Sequence, residues 1–165
     1  MAVWHHPPYT NSRLVRPSRA ARDGLLGPLL AASKSLAALC GHAHAYERFH
    51  VVGREVFVAG GGGGPRQPLR DARARSFAPT RFGGAADGPS RSFLHFLTLD
   101  LLTLDPGHPG AARGSGAAGP QGVQVRVHRL LEDAARCDVA EEIWLPFGRR
   151  AALTAAPAMP EPAGG

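Results

Sequence analysis

Glycine and proline set the tightest limit on what this chain can fold into. The sequence holds 21 Gly and 15 Pro in 165 residues, so many positions belong to turns, linkers or irregular backbone. The apolar residues are left in separate blocks at 25–40, 49–59 and 93–104, with a weaker group at 123–147. The length suffices for one domain, but the usable core is smaller than that length suggests. The expectation is one compact domain with at least one loose insertion and a disordered tail.

Within those blocks the pattern is short and mostly strand-like. Residues 2–5 read as the end of a strand whose beginning is absent, and 6–23 as a polar, proline-punctuated loop. "LLGPLLAASK" at 25–34 predicts a helix starting near Pro28, with Leu25, Leu26, Leu29 and Leu30 on one face. "SLAALC" at 35–40 predicts a buried strand that ends in a tight turn at Gly41. Val51 and Val52, then Val56 to Ala59, flank "GRE" as a hairpin with Gly53 in its turn. Residues 65–90 read as a long Arg/Gly/Pro loop, and 92–104 as a pair of strands. A Gly/Pro-rich insertion or linker follows at 105–122. "VQVRVHRL" at 123–130 alternates with period two, which puts Val123, Val125 and Val127 on one face. The stretch 123–149 is expected to hold the final strand or strands and a short helix, and 150–165 a disordered tail.

The net charge is +6 and the pI about 10.6, with Lys34 the only lysine. Such a balance can signal a polyanion partner. Here the arginines are scattered, and only Arg66, Arg70, Arg73 and Arg75 lie close together. No aromatic residue is interleaved with them for base stacking, so nucleic acid is not an expected partner. Cys40 and Cys137 are too few for a disulfide framework or a zinc-finger pattern. No stretch reaches the roughly 20 apolar residues of a spanning helix, so no membrane partner is expected.

The histidines carry the chemistry. His5 and His6 form one cluster and His42 and His44 a second, each in a turn defined by Pro or Gly. "CGHAHAYERF" follows directly on the strand predicted at 35–40. Side chains at a strand end sit at the rim of a sheet, where ligands gather in α/β folds. In extended backbone His42 and His44 would point the same way, able to bind one metal or to bracket a pair. An isolated H-x-H is equally a pair of surface turn residues. His95 and His128 read as ordinary strand residues, and His50 and His108 as surface residues. Gly60 to Gly64 do not make a phosphate loop, because Pro65 and Arg66 follow where Lys and Ser/Thr are needed. No serine has the neighbours of a catalytic triad, and no residue is assigned as directly catalytic.

"HHPPY" followed by "GHAHAYER" resembles the calcineurin-like metallophosphoesterases, closest to their purple-acid-phosphatase-like branch. That family carries H-x-P-x-Y and a later G-H-x-H-x-Y-E-R. "LLGPLL" is similar to the helix before the second motif, and "VFVAGGGGG" to the glycine-rich strand end after it. The likeness covers 2–64 well and 92–104 weakly, which would make 1–104 the carboxy-terminal part of such a domain. It implies an α/β fold of four layers, an α/β/β/α sandwich, here lacking its N-terminal half. It also implies a hydrolase of phosphate esters that activates water between two divalent or mixed-valence ions of Fe, Zn or Mn. By the same likeness His5 and His42 ligate one ion and His44 the other, while His6 flanks the site. Tyr46, Glu47 and Arg48 are expected to brace the histidine loop, and Tyr9 and Asn11 to border the substrate.

The family also uses an early Asp-x-His, then Gly-Asp and Gly-Asn-His, and none of these occurs upstream of His5. Asp23, Asp71, Asp87, Asp100 and Asp105 lack the expected context. The chain is therefore expected to begin at a late or truncated start, to hold at most one ion and to be inactive alone. The competing expectation is a non-catalytic remnant, either a single-metal binder through His5, His42 and His44 or a polyanion binder through Arg66 to Arg75.

Overall fold

The computed structural model of the chain describes residues 1–70, 93–103, 121–131 and 136–147. They form a mixed α/β arrangement of two sheets and few helices. Two compact units divide it, one within Met1–Phe93 and one within Leu94–Arg149. The expectations for most of the 65–90 loop, for the 105–122 insertion and for the 150–165 tail lie outside the described residues.

The first unit is built on a four-stranded sheet in the order β1, β2, β4, β3. β1 is Ala2–Trp4, β2 Ala37–Cys40, β3 Tyr46–Val51 and β4 Arg54–Ala59. The first three in the sheet run parallel, with Ala2 opposite Ala38 and Ala38 opposite Val56. β3 returns antiparallel to β4. Parallel strands are covered on both faces and read as continuous apolar runs. "AALC" and "VFVA" are such runs, and Ala37, Ala38, Cys40, Val56, Phe57 and Val58 are all buried. Burial of each larger apolar side chain is worth about 1.5–3 kcal/mol. The β3–β4 turn is Val52-Gly53, with φ of 47° and 71°. Two left-handed residues match the twist of the strands they join, so Val52 belongs to the turn rather than the strand.

β1 reaches β2 through a loop and a short helical segment. Ser18 caps the first turn by accepting the Ala21 N–H at 3.1 Å. Helix α1 is Arg19–Ala21, a π-helical turn occupies Arg22–Leu26, and α2 is Gly27–Ala31. Pro28 sits in the first turn of α2, as expected, but helical backbone already begins at Arg19. The wider turn alters which leucines share a face. Leu26 is buried and Leu29 and Leu30 pack on the core, whereas Leu25 stays 47% exposed. Those leucines join Tyr9, Ala38, Cys40, Ala43, Phe49, Val56 and Val58 in one apolar cluster.

Residues after His6 are stitched to the segment following the glycine run. Ser12 pairs with Leu69 in an isolated antiparallel bridge. Arg13 N–H donates to the Pro68 carbonyl at 2.9 Å, and Arg70 N–H to the Asn11 carbonyl at 2.7 Å.

The second unit is an antiparallel meander of β5 (His95–Thr103), β6 (Gln121–Leu130) and β7 (Cys137–Pro146). The expected strand pair at 92–104 is instead this single strand, because "HFLTLDLLT" contains no turn-forming Gly, Pro or Asn. Val123, Val125 and Val127 are buried on one face of β6, as the alternation predicts. They lie opposite Leu101, Leu99 and Leu97 on β5 and Leu145, Ile143 and Glu141 on β7. On the other face Arg126 bridges Asp100 at 2.8 Å and Glu142 at 2.6 Å, tying all three strands together. Phe96 stacks on His128, and Trp144 occupies the space a Cβ on Gly122 would need.

Candidate metal centre

Because β1, β2 and β4 are parallel, their carboxy-terminal ends lie side by side at one edge of the sheet. β1 runs out into His5, β2 into Gly41-His42 and β4 into Gly60. This is the edge where ligands collect in open α/β sheets. Gly41 N–H donates to the His5 carbonyl at 3.0 Å, which fixes the two strand ends together. His5 Nε2 then lies 3.0 Å from His42 Nδ1. The His6 ring stands nearly perpendicular to both, its centroid 5.0 Å from His5 and 4.4 Å from His42.

The backbone presenting His42 and His44 is not extended. Ala43 N–H donates to the Gly41 carbonyl and Ala45 N–H to the Ala43 carbonyl, both at 2.7 Å. His42 and His44 are therefore the apices of two successive three-residue turns. His42 takes φ 64°, a left-handed angle that costs a non-glycine residue energy and is found where surrounding structure enforces it. The enforcing element is the end of β4: a Cβ on Gly60 would lie 2.0 Å from the Ala43 carbonyl oxygen. Only glycine allows that approach.

His44 is oriented by the other side of the glycine run. Its Nδ1 lies 3.0 Å from the Pro65 carbonyl oxygen. A carbonyl can only accept, so Nδ1 carries a proton, and in the neutral ring the lone pair is on Nε2. The ring lies directly over Gly64, where a Cβ would come within 2.4 Å of Cε1. The His44 peptide is held as well: Gln67 N–H donates to its carbonyl at 3.1 Å, and its own N–H donates to Gln67 Oε1 at 3.2 Å.

The residues expected to brace the loop do so unequally. Glu47, fully buried, accepts the Asn11 N–H on both carboxyl oxygens at 2.8 and 2.9 Å, which joins β3 to the loop after His6. Tyr46 is buried with its ring 6.1 Å from Phe93. Arg48 pairs with Glu55 at 3.1 Å. Tyr9 and Asn11, expected to border the substrate, are both inside the fold. Tyr9 packs against Phe49, and burial raises its hydroxyl pKa. Burial, followed by the neighbouring His6, His5 and His44, holds His42 below the ordinary imidazole pKa. That favours the neutral ring, which is the form that ligates.

No family model, curated protein or solved structure matches this chain. Its chemistry therefore has to be read from the site itself. Among the described residues, no three His, Cys, Asp or Glu side chains converge as a ready-made ligand group. His5 Nε2 and His42 Nδ1 are within hydrogen-bond distance, so one ring donates to the other here. Two nitrogens each about 2.0–2.1 Å from one tetrahedral ion stand about 3.3 Å apart, close to the separation found. Sequence reading did not find Gly60, Gly64 or Gln67. The glycine run reads only as unlike a phosphate loop and similar to a glycine-rich strand end, and nothing local marks Gln67, whose partners are distant in sequence.

Proposed function

We propose that this chain supplies part of the site of a metal-dependent phosphoric ester hydrolase, on part of an α/β/β/α sandwich. His5 and His42 hold one ion and His44 contributes to a second. The observation that carries this reading is the 3.0 Å approach of His5 Nε2 and His42 Nδ1 at the ligand-binding edge of a parallel sheet. The tautomer of His44, its lone pair on Nε2, supports the second half of the assignment.

Iron, zinc or manganese bound there would supply Lewis acidity and a water of lowered pKa for in-line attack on a phosphate ester. The chain's own residues orient the ligands. The Gly41 N–H bond to the His5 carbonyl sets the His42 turn against β1, and the Pro65 carbonyl fixes the His44 proton on Nδ1. Glu47 keeps the loop after His6 in register with β3. A two-ion centre, its ions about 3.5–4 Å apart, also needs a bridging carboxylate. Among the described residues none accompanies the histidines, and on this reading the chain alone is expected to take at most one ion and to be inactive.

Zinc titration of the full chain, alongside a phosphate-ester hydrolysis assay, tests the reading. One zinc bound per chain without turnover is expected, and His42→Ala should lose that binding. In a form joined to a segment carrying Asp-x-His and Gly-Asn-His, His42→Ala and His44→Ala should each abolish hydrolysis. Retained activity in either variant sinks the ligand assignment. The His5–His42 pair also suits a protein that only binds one ion, and absence of hydrolysis even in the joined form would select that reading.

A further inference from the structure

We propose that Gln67 is the positioning residue of His44, gripping the His44 peptide on both sides and tying it through Ser12 to the loop that follows His5. Gln67 N–H donates to the His44 carbonyl at 3.1 Å, and Gln67 Oε1 accepts the His44 N–H at 3.2 Å. The same Oε1 lies 3.0 Å from Ser12 Oγ. An amide N–H can only donate, so the atom of the Gln67 side chain that faces it is the oxygen. Ser12 Oγ accepts the Leu14 and Val15 N–H groups at 3.1 Å each and gives its one proton to Gln67. Its hydrogen-bonding capacity is thereby filled, with the donor aimed by the two acceptor bonds.

Gln67 is thus held by the loop on the His5 side and itself holds the turn on the His44 side. The Pro65 carbonyl that fixes the His44 tautomer lies only two residues before it. Neighbouring backbone bonds between Arg13 and Pro68 and between Asn11 and Arg70 keep this segment in place. Removal of the Gln67 oxygen frees the His44 N–H and loosens the ring from Pro65. Free histidine prefers its proton on Nε2, the nitrogen that has to stay open for a ligand.

The inference rests on the proposed function only for its consequence in metal uptake, because the tautomer can be read without metal. The test is nitrogen-15 NMR of the imidazole rings in the metal-free full chain, with the His44 signals assigned from a His44→Gln variant. At a pH where the ring is neutral, wild type is expected to show His44 protonated on Nδ1 alone. Gln67→Met, which keeps the length but lacks the acceptor, should admit the Nε2-protonated form. Gln67→Glu, which keeps an oxygen acceptor, should restore the single form.

An unchanged tautomer in folded Gln67→Met overturns the proposal, as does an Nε2 proton in wild type. If amide dispersion shows Gln67→Met unfolded, Gln67→Asn, too short to reach, is read in its place. Unfolding of both would assign Gln67 to stability and overturn the positioning role. Failure of the wild-type chain to take up zinc would instead count against the proposed function alone.

Discussion

Gly60→Ala and Gly64→Ala make the same chemical change four positions apart and should give different results. At Gly60 the new Cβ would lie 2.0 Å from the Ala43 oxygen and 2.7 Å from its carbon. Cβ contacts essentially never fall below 3.0 Å, so one backbone must retreat by 3.0 − 2.0 = 1.0 Å. Neither can do so freely: Ala43 and Ala45 are fully buried, and Gly60 N–H donates to the Ala45 carbonyl at 3.3 Å. Overpacking against a rigid neighbour costs about 1–3 kcal/mol. The backbone angle at Gly60 is not left-handed, so alanine recovers about 0.4–1 kcal/mol through the unfolded chain. A net loss of about 1.3 kcal/mol is expected from the middle of each range, which at a urea slope of about 2 kcal/mol/M lowers the midpoint by about 0.7 M. At Gly64 the obstacle is the His44 ring, which can swing away. Gly64→Ala should cost less than about 1 kcal/mol but break the Pro65 contact and release His44 from its single tautomer, leaving zinc uptake by His5 and His42 unchanged. A Gly60→Ala midpoint equal to wild type, or a larger drop for Gly64→Ala, would refute the reasoning.

Two further outcomes follow from the first unit and its contrast with the second. Burial first, then the nearby Glu47, pushes the Cys40 thiol up to about 12, while Cys137 is exposed. At pH 8 a thiol reagent should label Cys137 and leave Cys40 unreacted until denaturant is added; fast labelling of both in the native protein would contradict the burial. Val52 is a β-branched residue in left-handed backbone, which costs about 1–2 kcal/mol. Val52→Asn creates the Asn-Gly pair that such a turn favours and should stabilise the protein by about 1 kcal/mol in urea unfolding.

How much of this was legible depends on how local each feature is. The strand at 37–40, the Gly53 turn and the valine face of β6 follow from neighbouring residues, and they appear where the pattern places them. β3 begins at Tyr46 rather than Val51, because its first residues are buried on both faces and include Glu47. A charged residue inside hides the alternation. β7 was harder still, since a bulge between Val127 and His128 shifts its register and Glu141 lies on the buried face. The short helix expected within 123–149 does not appear among the described residues. At the candidate site the histidines and their strand ends were readable, but the turns that aim them were not. Those turns depend on Gly60, Pro65 and Gln67, and no spacing rule connects such positions to 42 and 44.

The strand order of the first sheet also sets a timetable. β3 and β4 meet across two turn residues, so their pairing needs little chain to be closed. β1 must find Ala38 from Ala2, a parallel pairing across the whole intervening loop and helix. Local hairpins close within microseconds, whereas long-range parallel pairing is slow. The turn that carries His44 is thus expected to be ready before His5 arrives beside His42. For as long as that delay lasts, the end of β2 presents an unpaired edge, open to any extended segment, including one from another molecule.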